Sequence, residues 1–180
     1  MKAFHAAFDK FDAVITLILE WVCIILFAGL TLLLTANIVM RFVPLFSLHW
    51  FDEIVELIFA ALVFYGAAAL WVTRGHFSVG DWISARIANV RLRYAYRLLI
   101  ELGSLFFMAV FLKYSWELTA RADDVTNALQ LPKAVLYACM PIAAAIMLLY
   151  SLKNVLIEIG CIIDPVGGEQ FRDAPPPATE

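Results

Sequence analysis

Residues 41–66 read RFVPLFSLHWFDEIVELIFAALVFYG. The stretch joins two long apolar segments through a short turn around Pro44 and Ser47, and carries Asp52, Glu53 and Glu56 into the start of the second segment. Proline lacks a backbone N–H and its ring clashes with the preceding turn, so the first helix ends or bends there. Asp52 and Glu56 are four residues apart and Glu53 and Glu56 three apart, so on a helix all three share one broad face, continued by Ala60 and Val63. A charge in the centre of a bilayer costs at least ~2.5 kcal/mol on insertion scales. Three carboxylates opening an apolar run therefore call for a partner or for water.

Away from this stretch, run length sets the fold class. The 180 residues are 63% hydrophobic and the mean hydropathy is +0.85. Apolar runs near Val14–Val39, Ile54–Val72, Leu98–Leu112 and Ala134–Leu152 approach the roughly 20 residues that cross ~30 Å of hydrocarbon. The third reaches that length when continued past Lys113 and Glu117 to about Leu118. The expected fold is an all-α membrane protein with four transmembrane helices, about 13–42, 50–73, 98–118 and 134–158. The net charge of -3 and the lack of a basic patch interleaved with aromatics give no sign of nucleic acid as a partner.

Between the second and third spans, residues 74–97 hold Arg74, Arg86, Arg91, Arg93 and Arg97, five of the thirteen Lys and Arg. Arg86, Asn89, Arg93 and Arg97 share one helical face, while Trp82, Ile83, Ile87, Val90 and Tyr94 supply an apolar one. That pattern predicts an amphipathic helix in the membrane interface, with Trp82 and Tyr94 at headgroup depth and Arg86 and Arg93 toward water and phospholipid. The positive-inside rule then makes this connection and both termini cytoplasmic: nine Lys and Arg fall on that side against Arg41, Lys113, Arg121 and Lys133 on the other. Residues 1–12, with Phe4, Phe8 and Phe11 at helical spacing, predict a short interfacial helix. The apolar run after Lys10 is too long for a signal-peptide core and is expected to remain as the first span. Residues 159–180 end in Pro, Gly and charge, the composition of a disordered cytoplasmic tail.

Arg41 and Glu53 are each six residues from Ser47, which places them at similar depth on the two arms of the hairpin and makes them candidates to pair. Lys113 with Glu117, and Arg97 with Glu101, are helix-compatible pairs. Pro141 inside the fourth span should kink it. Cys23, Cys139 and Cys161 lie in apolar sequence without metal-ligand spacing. No GxSxG, P-loop, HExxH or CxxC element occurs, so the residues give no catalytic reading. A haem anchor is excluded within one chain because His49 and His76 bracket the second span, roughly 40 Å apart at ~1.5 Å per residue. A small proton-coupled multidrug exporter using Glu20 in the first span is the alternative reading; the long inner connection and the acidic hairpin argue against it.

These landmarks together resemble the small membrane subunit of tripartite ATP-independent periplasmic (TRAP) transporters. The resemblance rests on Arg41 closing the first span, then Trp50, Phe51, Asp52 and Glu53 opening the second, and Gly66 with Ala67 and Ala68 further along it. Gly75, His76 and Phe77 follow, closed by Asp81, and Ala128, Leu129, Gln130, Leu131 and Pro132 precede the last span, which carries Tyr137 and Pro141. The resemblance implies a non-enzymatic accessory subunit of the bacterial inner membrane. Its implied partners are a large multispan subunit and a periplasmic substrate-binding protein, serving sodium-driven uptake of an organic acid anion. It implies no cofactor or metal in this subunit, sodium coupling residing in the large one. Arg41, Trp50, Asp52, Glu53, Glu56, Gly66 and His76 then become candidates for the partner interface, and Gly66 and its alanines offer a small-residue patch for close helix approach.

Overall fold

A computed structural model of the chain describes residues 2–42, 50–73, 86–87 and 89–163. These form five α-helices: α1 (Lys2–Phe42), α2 (Phe51–Val72), α3 (Val90–Ala120), α4 (Lys133–Tyr137) and α5 (Cys139–Ile163). Among the described residues the β-structure is confined to an isolated Val125–Pro132 bridge. Four segments are long and apolar enough to cross a membrane, namely Asp12–Phe42, Phe51–Val72, Leu92–Ala120 and Lys133–Gly160. The fold is thus the expected all-α membrane bundle.

Helix boundaries differ from the hydropathy boundaries at both ends of the chain and at the start of the third span. Residues 2–12 form the opening turns of α1, continuous with the first span, because no Pro or Gly interrupts the run from Lys2 to Val14. Likewise Val90–Arg97 belong to the same helix as the third span, which begins well before its apolar run. Residues 74–85 and 88 of the expected interfacial segment, including His76 and Trp82, lie outside the described residues. At the other terminus α5 continues to Ile163, five residues beyond the expected end of the last span, and residues 164–180 lie outside the described residues. Hydropathy marks where lipid begins, whereas the helix continues wherever its backbone hydrogen bonds do.

The helices run alternately up and down. One end of the bundle carries the junctions of α1 with α2 and of α3 with α4, called here the hairpin end. The other, the terminal end, carries Asp12, Val72 and Ile163. α5 is the central helix: 39% of its span is buried, against 6% for each of the other three. It packs along α3 and against α2, and α2 packs along α1. Its buried face repeats Ala143 and Ala144, Met147, Tyr150 and Ser151, then Asn154 and Val155. Lipid tails are as apolar as leucine, so membrane helices associate by close packing and polar contacts more than by the hydrophobic effect. Ala143, Ala144, Ser151 and Ala68 of α2 are fully buried and let backbones approach. Leu19, Ala68, Met108, Ala143 and Met147 form the core, one or two residues from each long helix.

The fourth span is broken at Ala138, between α4 and α5. Pro141 has no N–H to offer the carbonyl of Tyr137, as its sequence position anticipated. The thiol of Cys139 donates to the neighbouring Leu136 carbonyl at 3.3 Å.

Candidate functional site

The first turn of α2 has no side-chain cap, Trp50 occupying the N-cap position. Glu53, at the third helical position, does not turn back to cap its own helix. Its two oxygens accept the backbone N–H groups of Ala128, at 2.7 Å, and of Leu129, at 2.9 Å. Each oxygen takes one donor, and a charged acceptor makes both bonds stronger than neutral ones.

The loop between α3 and α4 is shaped to present those donors. The Thr126 N–H donates to the Leu131 carbonyl at 2.8 Å and the Lys133 N–H to the Asp124 carbonyl at 2.9 Å, closing a hairpin-like turn. The Leu131 N–H donates in return to the Thr126 hydroxyl at 3.1 Å, and the Gln130 side-chain amide to the Asn127 carbonyl at 3.1 Å. Gln130 adopts φ 54°, the left-handed region. For a residue with a Cβ that conformation costs roughly 1–2 kcal/mol. The turn therefore holds a strained residue in place beside the Glu53 carboxylate. The clasp joins two elements that are far apart in sequence: Trp50–Glu53 at the head of α2 and Ala128–Pro132 ahead of α4.

Arg41 is not Glu53's partner. It is exposed at the end of α1, and among the described residues no ion pair joins the two. Asp52 and Glu56 are exposed and likewise have no ion-pair partner among the described residues. Trp50 is 38% exposed. Gly66 is partly exposed, and a Cβ built on it would meet nothing within 4 Å. Asp123 and Asp124 are exposed, Asp124 accepting from Lys133 at 3.3 Å. Glu117 pairs with Arg121 at 3.8 Å and not with Lys113, whose ammonium lies over the Tyr114 ring. A Glu four residues before the cation suits the helix better than the reverse order.

At the terminal end, Arg86 is exposed and Arg93 half-buried, its guanidinium over the Tyr94 ring at 5.7 Å. Tyr94 is fully buried. It belongs to the inside of the bundle and not to a lipid-facing stripe, because the helix that carries it is already packed as α3. His76 and Trp82 lie outside the described residues.

A second polar cluster lies at this end, and sequence reasoning did not assemble it. Tyr150 donates to one oxygen of Asp12 at 3.0 Å, and the Lys153 ammonium pairs with the other. The Trp71 indole N–H donates to the Ser151 hydroxyl at 3.0 Å. α5 is thereby bonded to α1 and to α2 within a single turn, and its Asn154 and Glu158 are also buried. The available signal was a pair of opposite charges, Asp12 and Lys153, at matching depth in the first and last spans.

Such a chain is a multi-pass helical membrane protein. Its internal polar contacts tie its own ends together, while further charges are left on its surface. The chain matches the family described as tripartite ATP-independent periplasmic transporters, DctQ component, over residues 30–159, and it belongs to that family. It is therefore a small membrane component of a TRAP transporter, in a family of transporter components and not of enzymes. No curated protein matches the chain. The alternative of a self-contained exporter is not supported: the family is one component of a tripartite system, and Glu20 is exposed on the side of α1.

Proposed function

We propose that this chain is the accessory subunit that packs on and stabilises a large multispan transport subunit. That assembly takes up an organic acid anion, delivered by a periplasmic binding protein and driven by sodium. Sodium and substrate sites belong to the large subunit; this chain carries no cofactor and no catalytic role. It resides in the bacterial inner membrane with both termini cytoplasmic, an orientation supported by the excess of Lys and Arg at the terminal end.

The observation that carries this reading is the Glu53 clasp. It fixes one end of the bundle without supplying any partner for Asp52 and Glu56 next to it. Charges on the surface of a membrane helix ordinarily face protein or water. A rigid bundle with charges left over on its outer surface suits a scaffold component.

The test is reconstitution. The chain, co-expressed with the large multispan protein encoded beside it, should purify as a complex. In proteoliposomes that complex, with its binding protein, should accumulate a labelled organic acid anion, found by screening a panel of carboxylates, only under an inward sodium gradient. Uptake by the chain alone, or uptake indifferent to sodium, would overturn the proposal.

A further inference from the structure

Where the third span ends and the fourth begins, the bundle leaves a cavity of about 410 Å³. Glu117 and Arg121 line it from the end of α3, Asp124 and Lys133 from the clasped turn, and Tyr114 and Tyr137 from α3 and α4. The turn holds its two charged residues side by side, because the Lys133 N–H donates to the Asp124 carbonyl at 2.9 Å. The cavity lies at the depth of lipid headgroups. The third span stops at Ala120 and the fourth starts at Lys133, and Tyr114, Trp116 and Tyr137 supply the aromatic residues that favour that level. Its volume is that of a small-molecule site, which runs from roughly 300 to 1,000 Å³.

The charges around the cavity balance. Arg121 stands 3.8 Å from Glu117, and Lys133 stands 3.3 Å from Asp124. Ion pairs this exposed are weak, because water competes for both partners. A ligand that carries one anion and one cation can therefore take the place of each partner without stranding a charge. A second cavity, of about 430 Å³, adjoins the first at Glu117 and is otherwise lined by Ala109, Leu112, Lys113, Trp116 and Leu148. Its α3 residues lie on average about five positions, or ~7 Å at ~1.5 Å per residue, nearer the middle of the span. A charged cavity at the interface thus continues into a mainly apolar one beneath it, which is the order of a lipid's headgroup and chains.

We propose that this pair of cavities binds one phospholipid whose headgroup carries a primary ammonium, with its phosphate on Arg121 and Lys133 and its ammonium on Glu117 and Asp124. One acyl chain lies along Leu112, Trp116 and Leu148. Phosphatidylethanolamine has the required chemistry: one phosphate charge for the two cations, and three N–H donors for the two carboxylates. Phosphatidylglycerol brings the phosphate but leaves both carboxylates without a cation. Phosphatidylcholine brings a cation that has no N–H to donate. The headgroup therefore decides which lipid is held.

The test is native mass spectrometry of the full chain, stripped of lipid in detergent and given equal amounts of phosphatidylethanolamine, phosphatidylglycerol and phosphatidylcholine with the same acyl chains. One phosphatidylethanolamine should be retained about fivefold over either of the others. Equal retention of all three, as for boundary lipid only, would overturn the site. The double variant Arg121→Gln, Lys133→Gln should lose that lipid, while Arg41→Gln, which removes an exposed cation at the same end of the bundle but outside the cavity, should keep it. Retention by the double variant, or an equal loss in Arg41→Gln, would sink the proposal. Glu117→Gln with Asp124→Asn removes the partners of the ammonium and leaves both cations, so preference should pass to phosphatidylglycerol; unfolding cannot produce that reversal. An unchanged order of preference in this variant would also overturn the site. In cells that carry the large subunit as well, a photo-crosslinking residue at Tyr114 should label lipid. A crosslink to the large subunit instead would show that protein fills the cavity.

Discussion

Glu53 on α2 accepts the backbone N–H of Ala128, 75 residues away in the sequence, at 2.7 Å. With the matching bond from Leu129, this is where the loop ahead of the last span is held to the head of the second. Removing the carboxylate leaves two loop donors with water as the available acceptor and releases the strained Gln130. In Glu53→Ala, amide hydrogen exchange at Ala128 and Leu129 should rise to the rate of an unprotected loop, with α5 unaffected. Glu53→Gln, which keeps one amide oxygen, should fall between the two. Unchanged exchange in Glu53→Ala would mean that the turn holds itself.

The same contact reorders the hairpin charges. Arg41 is exposed and makes no ion pair with Glu53, so Arg41→Ala should weaken the complex with the large subunit less than Glu53→Ala does. Asp123→Ala, on the exposed loop, should also be mild. Co-purification yields of the three variants, measured side by side, check the order; Arg41→Ala matching Glu53→Ala would restore Arg41 to the clasp.

Why the four spans were legible and the clasp was not follows from what sequence displays. A run such as Ile54–Val72 declares its environment in every residue, and the break before Pro141 has a covalent cause. Glu53's partners are backbone N–H groups, which every residue but proline carries, so Ala128 and Leu129 look like nothing in particular. Arg41 stood out as a partner because charge is visible and backbone is not. Tyr94 shows the complementary case: Arg, Trp and Tyr around an apolar stripe describe an interfacial helix and the first turns of a spanning helix equally well, and the structure runs Val90–Arg97 into α3 with Tyr94 buried.

The Asp12 cluster ties α5 to α1. Tyr150 and Lys153 occupy both carboxylate oxygens. Asp12→Ala removes the carboxylate from a half-buried ammonium and from the Tyr150 hydroxyl, and should lower the melting temperature of the detergent-solubilised chain. Lys153→Met alone should also destabilise, but Asp12→Ala with Lys153→Met should be milder than the sum of the singles. Polar contacts between membrane helices are worth about 0.6–1.7 kcal/mol, and the coupling in a double-mutant cycle should fall in that range. Strict additivity would show that the two side chains do not act together.

Trp71 and Ser151 give a second tie, from α2 to α5. Trp71→Phe keeps an aromatic ring and removes the indole donor, so its cost should be that of one interhelical hydrogen bond, about 1 kcal/mol, plus the packing of the smaller ring. Ser151→Leu is a different perturbation. Ser151 is fully buried, and a larger side chain there must push α2 away from α5, costing about 1–3 kcal/mol. Ser151→Ala should resemble Trp71→Phe. Thermal unfolding of the three variants separates the readings, because a site governed by packing alone would leave Ser151→Ala at wild-type stability.

The break at Ala138 links the clasp to the central helix. Pro141 withholds an N–H from the Tyr137 carbonyl and its ring crowds that carbonyl, so α4 and α5 are two helices and not one. Pro141→Ala restores both the donor and the space. The run from Lys133 to Ile163 should then close into one continuous helix. α4 follows directly from Pro132 and the turn whose N–H groups Glu53 holds, so straightening the run swings that turn relative to α2. The clasp resists the swing, and the two effects compete. In Pro141→Ala alone, exchange at Ala128 and Leu129 should rise part of the way toward that of Glu53→Ala. With Glu53→Ala added, the helix should straighten freely and the distance between spin labels at Asn127 and Trp50 should lengthen. If Pro141→Ala leaves both exchange and distance unchanged while the helix becomes continuous, the break does not position the loop, and the Glu53 clasp alone does so.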